Sequence, residues 1–398
     1  MIKTAKRIAQ VEEYYFSKKL QEVRSLDTPD FPVINLGIGS PDLMPGEETV
    51  AALAKTASLP TSHGYQNYKG VPALRQAIAD FSKRIYGVDL NPNDEILPLM
   101  GSKEGIMHIS MAFVDEGDTV LIPDPGYPTY ASVSKLVGAN IETYKLNADR
   151  GWQVDIEDLE SRDLSVVKIM WLNSPHMPTG SVMDKSIMTR IISLARRNGF
   201  LVVNDNPYSL ILNDRPESLL AIDGAEDVSL ELNSLSKSHN MAGWRIGWVA
   251  GKKELVDAVL KVKSNMDSGM FLGLQNAAVE ALSQSKQWFD DLNATYKKRR
   301  KLAFEILDEL ECAYDENQVG LFVWAKAPEH VESVEKWIDE ILYRSKVFIT
   351  PGFIFGDAGG EFVRISLCAN EGNLRKAKER IENFKVGEKS KQRMEAAS

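Results

Sequence analysis

The chain has 398 residues, too many for one ordinary hydrophobic core, so two domains are expected. Its net charge of −9 argues against a nucleic-acid binder, which would carry a basic excess. With 43% hydrophobic and 26% charged residues it reads as a globular enzyme, and no apolar run reaches the roughly 18–20 residues of a membrane helix.

Residues 5–24 predict an amphipathic helix, with Ile8, Val11, Tyr15 and Val23 on one face. Such a stripe needs a cover, either a partner subunit or a second domain of the same chain. The first residues lack the apolar core of a signal peptide. Gly37-Ile38-Gly39 could suggest a dinucleotide loop, but GIGSPD lacks the third glycine and opens no helix.

From residue 94 to 251, β-rich runs alternate with helical patterns. The runs are 95–99, 119–122, 166–172, 200–204, 228–232 and 246–250; the clearest helices are Ser102–Phe113 and Lys185–Asn198. This alternation predicts an α/β fold whose mostly parallel sheet is covered by helices on both faces. Ligands of such sheets bind at the carboxyl ends of the strands. The clusters GSKEG, PDPGYPTY, NSPHMPTG, NDNPY and SLSKSHN all follow strands.

Beyond about residue 285 a charged helix at 287–311 leads into GLFVWAK, another helix, and the strand pair VFITPG and EFVRISL. This predicts a smaller α+β domain. The expected division is 46–285 for the large domain, with 1–45 and 286–398 forming the small one. The polar tail VGEKSKQRMEAAS is expected to be disordered. The two cysteines, Cys312 and Cys368, match no metal spacing, no histidine pair has the HExxH form, and no metal is expected; a reducing, cytoplasmic setting follows. His63, His108 and His239 have no motif around them and read as structural.

Lys237, in SLSK after a strand, is the first chemical candidate. Burial favours the neutral amine, and a neutral lysine is a nucleophile that forms an imine with an aldehyde. Arg245, eight residues on, could clamp a phosphate with its planar fork. Asp205, at the end of the run FLVVN, could hold a protonated ring nitrogen and keep that ring electron-withdrawing; a turn cap is the alternative. Tyr208 follows it by three positions.

DNPY, SLSKSHNMAGWR, the PTG at 178–180 and FVRISL stand in the order of the class I/II aminotransferases, which are fold-type I pyridoxal 5'-phosphate (PLP) enzymes, and the chain resembles that family over nearly its whole length. INLGIGSPDL, HGYQNYKGVPALR and VKSNMDSGMF resemble the subgroup of LL-diaminopimelate aminotransferases. The resemblance implies that Lys237 carries the Schiff base and shuttles the proton. It implies that Asp205 pairs with the pyridine nitrogen and Tyr208 with the phenolic oxygen. It gives the phosphate to Arg245, Ser234, Ser236, Ser102 and Lys103, the last two at a helix start. Tyr127 would stack on the ring, Arg364 would fork the substrate carboxylate, and Ile38 and Gly39 would line the substrate pocket. It further implies a homodimer in which Tyr65 reaches the partner's phosphate. Bland readings stand beside these: Tyr127 as a packing aromatic, Ser236 as a helix cap, Lys103 as a solvated residue.

The implied reaction moves an amino group from an amino acid to a 2-oxo acid by a ping-pong path. A β-eliminating C–S lyase would share the same cofactor residues. A DNA-binding regulator would need an added domain, for which there is no room before residue 40. No arginine lies between Arg245 and Arg299, which disfavours strict aspartate specificity. One departure stands out. Met177 precedes PTG where the family has an asparagine that bonds the cofactor's phenolic oxygen. A thioether cannot donate. Tyr208 is therefore expected to hold that oxygen alone, with His176 or Asn173 as possible helpers, and the imine pKa is expected to be raised.

Overall fold

The computed structural model describes residues 2–11 and 15–395. In chain order the strands are β1 (Ile34–Asn35), β2 (Ile96–Leu99), β3 (Thr119–Asp124), β4 (Asn140–Lys145), β5 (Val167–Leu172), β6 (Leu201–Asp205), β7 (Ser229–Ser234), β8 (Gly247–Gly251), β9 (Ala313–Tyr314), β10 (Phe322–Lys326), β11 (Val347–Phe348), β12 (Thr350–Pro351) and β13 (Phe362–Ser366).

Seven of them form one sheet in the order β2-β8-β7-β6-β5-β3-β4. β8 runs antiparallel to both its neighbours, and the other pairings are parallel. Side chains on successive strand residues point to opposite faces, and the two faces feed different cores. Leu97, Leu99, Val120, Ile122, Val203 and Val249 meet Ile106 and Ile109 of the helix Ser102–Phe113 on one face. On the other, Leu121, Met170 and Val202 meet Met188 and Ile191 of Lys185–Asn198, while Ile96 and Trp248 meet Leu74 and Ile78 of Pro72–Tyr86.

A four-stranded antiparallel sheet, β12-β13-β10-β9, forms a second centre. Its core takes Tyr296 and Ile306 from the helix Lys286–Glu309, Ile338 from Val334–Ser345 and Leu374 from Glu371–Glu395. β1 pairs in parallel with β11.

Two expectations are corrected. The N-terminal helix is not continuous: a 3-10 turn spans Lys6–Gln10, Val11 is extended, and the α-helix runs Tyr15–Ser25, with residues 12–14 outside the description. Its cover comes from the same chain, since Val23, Leu20 and Phe16 pack with Leu342 and Phe348. The polar tail continues the last helix through Glu395, because Glu, Lys, Gln, Arg and Met are all good helix formers; residues 396–398 lie outside the described residues.

Candidate active site

The carboxyl ends of β5, β6 and β7 meet at one edge of the large sheet, where ligands of parallel sheets bind. Asp205 ends β6, Ser234 ends β7, and Asn173 follows β5. Because β8 is antiparallel, its start lies at the same edge: Gly247 registers with both Ser234 and Leu99. That brings Arg245 beside the start of the helix Ser102–Phe113.

A cavity of about 270 Å³ opens there, lined by Gly39, Ser102, Lys103, Tyr127, Asn173, Asp205, Tyr208, Ser234, Ser236, Lys237, Arg245 and Arg364. Of the residues singled out in the sequence, Ile38 and Tyr65 stand apart. The Ile38 side chain is not in the lining; its N–H donates to Asn35 Oδ1 and its carbonyl accepts from Ser366 Oγ. Tyr65 is 94% exposed.

Lys237 is held by a hydrogen bond from Nζ to the Gly39 carbonyl at 2.5 Å. Burial pushes its pKa down, Cys368 and Asp205 oppose that shift, and the positive charges of Arg364 and Arg245 add to it. The amine is thus biased toward its nucleophilic, neutral form. Asp205 is buried, and burial pushes its carboxyl up to about 7, against the Tyr130 hydrogen bond and the charge of Lys237. Its Oδ2 accepts from the Tyr130 hydroxyl at 3.0 Å, while Oδ1 is buried with no hydrogen-bond partner. A buried carboxylate oxygen facing a cavity without a donor marks the place of a missing one.

The opposite end of the cavity suits an anion. The helix Ser102–Phe113 presents free N–H groups at its start. Arg245, in the left-handed region at φ 56, donates from Nη1 to the Ala242 carbonyl at 2.7 Å and to Ser236 Oγ at 3.4 Å. Gly101 is required here: its φ is 87, and a Cβ on it would lie 2.3 Å from Arg245 Nη2. Ser234 is the helix cap, its Oγ accepting from Ser236 N–H at 3.1 Å, so the cap reading considered for Ser236 belongs to Ser234.

Between these ends stand Tyr127, Tyr208 and Met177. Tyr127 meets Tyr130 edge to face, with centroids 5.6 Å apart. Burial pushes the Tyr208 phenol up, with Arg364 opposing, so it remains a hydroxyl donor. Asn173 spends its amide on the backbone, donating to the Asp205 carbonyl at 2.6 Å and accepting from Met177 N–H at 2.7 Å. His176 does not line this cavity. Its Nδ1 pairs with Thr179 Oγ1 at 2.8 Å, and burial pushes it down to about 3. It is therefore no helper to Tyr208.

The substrate side is closed by residues that sequence reasoning missed. Phe322 and Phe355 lie 3.9 and 4.7 Å from the Arg364 guanidinium carbon, and Phe16 joins the lining from the N-terminal helix. Tyr130 was also missed, although it stands in PDPGYPTY beside Tyr127. Asp42, in the SPDL loop, is forked by Arg299 at 2.6 and 3.0 Å, which ties that loop to the helix Lys286–Glu309. Of the histidines read as structural, His239 packs on Trp288 and Phe289, and His63 stacks on Phe271. His108 joins Glu104 and Asp267, with ligand atoms within 4.8 Å of one another, but Lys263 Nζ already sits 2.6 Å from Asp267 and balances that cluster.

A carboxylate with one oxygen lacking a donor, a lysine biased to neutrality and an anion cradle fit a planar ring bearing a basic nitrogen, an aldehyde and a phosphate. Comparison with known proteins agrees. The family model for aminotransferase class I and II matches residues 32–381. The LL-diaminopimelate aminotransferase of Dehalococcoides mccartyi (strain CBDB1) is 37% identical over 389 residues, covering 96% of this chain and 99% of that protein. The protein of that name from Aquifex aeolicus is 34% identical, covering 97% and 100%. Among solved structures, apo-BacF from Bacillus subtilis superposes with a TM-score of 0.92 at 33% identity, covering 96% of this chain and 98% of that one.

Proposed function

Because the chain belongs to the class I and II aminotransferases, PLP-dependent enzymes that move an amino group from an amino acid to a 2-oxo acid, we propose that Lys237 is the residue that binds the cofactor covalently and carries the proton. The observation that carries this reading is that Lys237 and Asp205 line one cavity. One is a buried amine biased to neutrality, the other a carboxylate with a buried oxygen that lacks a donor.

Bound there, the cofactor supplies a carbonyl carbon and an electron-withdrawing ring. The residues do the rest. Asp205 accepts the ring N–H and keeps that nitrogen protonated. Arg245, Ser234, Ser236, Ser102 and Lys103 hold the phosphate, Tyr127 covers the ring, and Tyr208 donates to the ring oxygen. Asn173 supports the floor by fixing the Asp205 and Met177 backbones. Arg364 binds the substrate carboxylate, with Gly39 forming the adjoining wall. Lys237 would take up the proton from the substrate's α-carbon. The ping-pong order follows, since one site serves donor and acceptor in turn.

The first amino donor to test is LL-diaminopimelate, the compound in the names of the curated relatives. We also read the chain as a homodimer. Tyr65 and Met266, 94% and 61% exposed, stand on adjoining loops: a Cβ on Gly269 would lie 2.6 Å from the Gln66 carbonyl. A second copy covering this face would bring Tyr65 to the neighbouring phosphate, as the family resemblance implies. Both cysteines are buried and free, which fits a reducing cytoplasm. No helix among the described residues is long and apolar enough to cross a membrane.

The test is borohydride reduction of the cofactor-loaded protein followed by peptide mass mapping, with an amino-donor panel run beside it. A pyridoxyl adduct on Lys237, and stoichiometric pyridoxamine phosphate that a 2-oxo acid converts back, are expected. An adduct on another lysine overturns the assignment; pyruvate and ammonia as products would mean elimination instead.

A further inference from the structure

Glu231 does not line the cavity, yet it stands in β7, 1% exposed and in register with Asn204 of β6. Successive strand residues face opposite sides of a sheet. Asp205 faces the cavity, so Asn204 faces the rear, where Glu231 lies. A buried carboxylate is costly unless donors surround it. Oε1 accepts from Asn206 Nδ2 and Asn233 Nδ2, each at 3.3 Å. Oε2 accepts from the Leu219 N–H at 2.7 Å and from Asn204 Nδ2 at 3.3 Å. Burial pushes the carboxyl up, and the Leu219 N–H, Ser218, Asn204 and Asn206 oppose that shift.

The three amides are each oriented by a second partner. Asn204 Oδ1 accepts from the Ser174 N–H at 3.0 Å. Asn206 Nδ2 also donates to the Glu217 carbonyl at 3.0 Å. Asn233 Oδ1 accepts from the Tyr86 hydroxyl at 3.3 Å. Their NH2 groups are therefore committed to Glu231, as an anion requires. Asn204 and Asn206 are the residues on either side of Asp205, Ser174 follows Asn173, and Asn233 precedes Ser234. One carboxylate thus gathers the ends of β5, β6 and β7 from behind.

We propose that Glu231 is a positioning residue for the cofactor ring: by holding Asn204 and Asn206 it fixes the main chain of Asp205, and with it the place where Oδ1 meets the ring nitrogen. This rests on the reading of Asp205 as the partner of that nitrogen. The two supports of Asp205 divide the work. Tyr130 holds the carboxylate in front, through Oδ2. Glu231 holds the backbone that bears it. A hydrogen bond weakens steeply with misalignment, and a site group must be held to within about 0.5 Å to act. A displaced main chain is therefore felt at the nitrogen.

The experiment compares two probes on the full-length apoenzyme by absorbance titration: PLP, and its carbocyclic analogue in which a C–H replaces the ring nitrogen. The ratio of their Kd values reports the bond at the nitrogen, whereas a general weakening of the fold lowers both affinities together. The wild type is expected to prefer PLP about tenfold or more, the scale of a hydrogen bond to a charged group. Glutamine keeps the shape of Glu231 but turns its own NH2 toward two of the donors. In Glu231→Gln the preference is expected to shrink about three- to tenfold. Asn206→Ala removes one clamp, leaves Glu231 in place, and is expected to shrink the preference about two- to threefold; it stands as the test if Glu231→Gln does not fold. A wild-type ratio in Glu231→Gln, or in Asn206→Ala where that is the variant that folds, overturns the proposal. Equal affinity of the wild type for the two probes would instead overturn the reading of Asp205 on which it rests.

Discussion

Tyr130 donates its hydroxyl to Asp205 Oδ2 at 3.0 Å and lies flat against Trp171, with centroids 5.1 Å apart and planes 8° from parallel. The stack fixes the phenol, so Asp205 has one oxygen occupied and one, Oδ1, without a donor. Tyr130→Phe removes a hydrogen bond to a charged group, worth about 1.5–3 kcal/mol. The cofactor Kd of the apoenzyme is expected to rise about tenfold or more by absorbance titration. Asp205→Ala should weaken binding further still. Wild-type affinity in Tyr130→Phe would show that the stack, not the hydroxyl, sets the carboxylate.

Asp205 also predicts a pH dependence. Burial raises its carboxyl to about 7 in the cofactor-free protein, whereas an unfolded aspartate titrates near about 3.9. Between these values the folded chain keeps a proton that the unfolded chain has released. The contribution of this group to stability is thus full below the unfolded pKa and is lost as pH rises through the folded one. Urea unfolding of the apoprotein at pH 5 and pH 8 should show a fall that is smaller in Asp205→Asn. Adding cofactor should flatten the wild-type fall, because the ring N–H then favours the charged carboxylate. Identical slopes in the two apoproteins would rule out Asp205 as their source.

Much of this was legible in the chain, for reasons that differ by element. The helices Ser102–Phe113 and Lys185–Asn198 match their apolar periodicity, because each buries one stripe on the sheet. β4 was missed: it is the sheet edge, half exposed, and NIETYK carries no continuous apolar run. The reversal of β8 could not be read, since strand direction depends on connections and not on composition. Asp205, Lys237 and Arg245 stand close in sequence and could be judged together. Phe16 reaches the same cavity as Phe322 and Phe355 from more than 300 residues away in the chain, and an aromatic residue alone looks like core. Likewise, His176 was a candidate helper by proximity in sequence, but its ring turns toward Thr179.

Met177 Sδ lies 3.3 Å from Arg364 Nη1. It lines the cavity beside Tyr208, and its sulfur has no proton to give to the ring oxygen. Met177→Asn would add a donor and favour the deprotonated, negatively charged form of that oxygen. The apparent pKa of the visible absorption of the Lys237-bound cofactor is expected to fall in this variant. An unchanged or raised value would mean that position 177 does not face the oxygen.

Buried Lys263 pairs with partly buried Asp267 at 2.6 Å, with the Gly269 N–H on Asp267 Oδ1 at 2.8 Å. Burial alone would raise the Asp267 carboxyl, but the Lys263 ammonium and the Gly269 N–H outweigh it and hold it below its ordinary range. Its stabilising effect is therefore present above the unfolded pKa and is lost as pH falls through the folded one. Lys263→Met leaves Asp267 beside Glu104 with no ammonium. Asp267 is only partly buried, so the loss falls short of the about 3–5 kcal/mol of a fully buried pair. A drop in the urea midpoint at pH 7, shrinking only as pH falls below about 4, is expected. A variant as stable as wild type would show the pair to be screened by solvent.

Tyr65 tests the shared site. Its side chain is 94% exposed and lies outside the cavity lining, so within one chain it has no work at the phosphate. If two copies exchange this residue, a Tyr65→Ala chain damages its partner's site, whereas Lys237→Ala damages its own. Each variant alone should be nearly inactive. When the two are mixed and re-equilibrated, a heterodimer concentrates both defects in one site and leaves the other intact. With random pairing about a quarter of wild-type activity should return. The unpaired single chain should bind the cofactor more weakly, since it lacks the donated hydroxyl. Activity in the mixture that never exceeds the sum of the two variants would show that Tyr65 serves no neighbouring site.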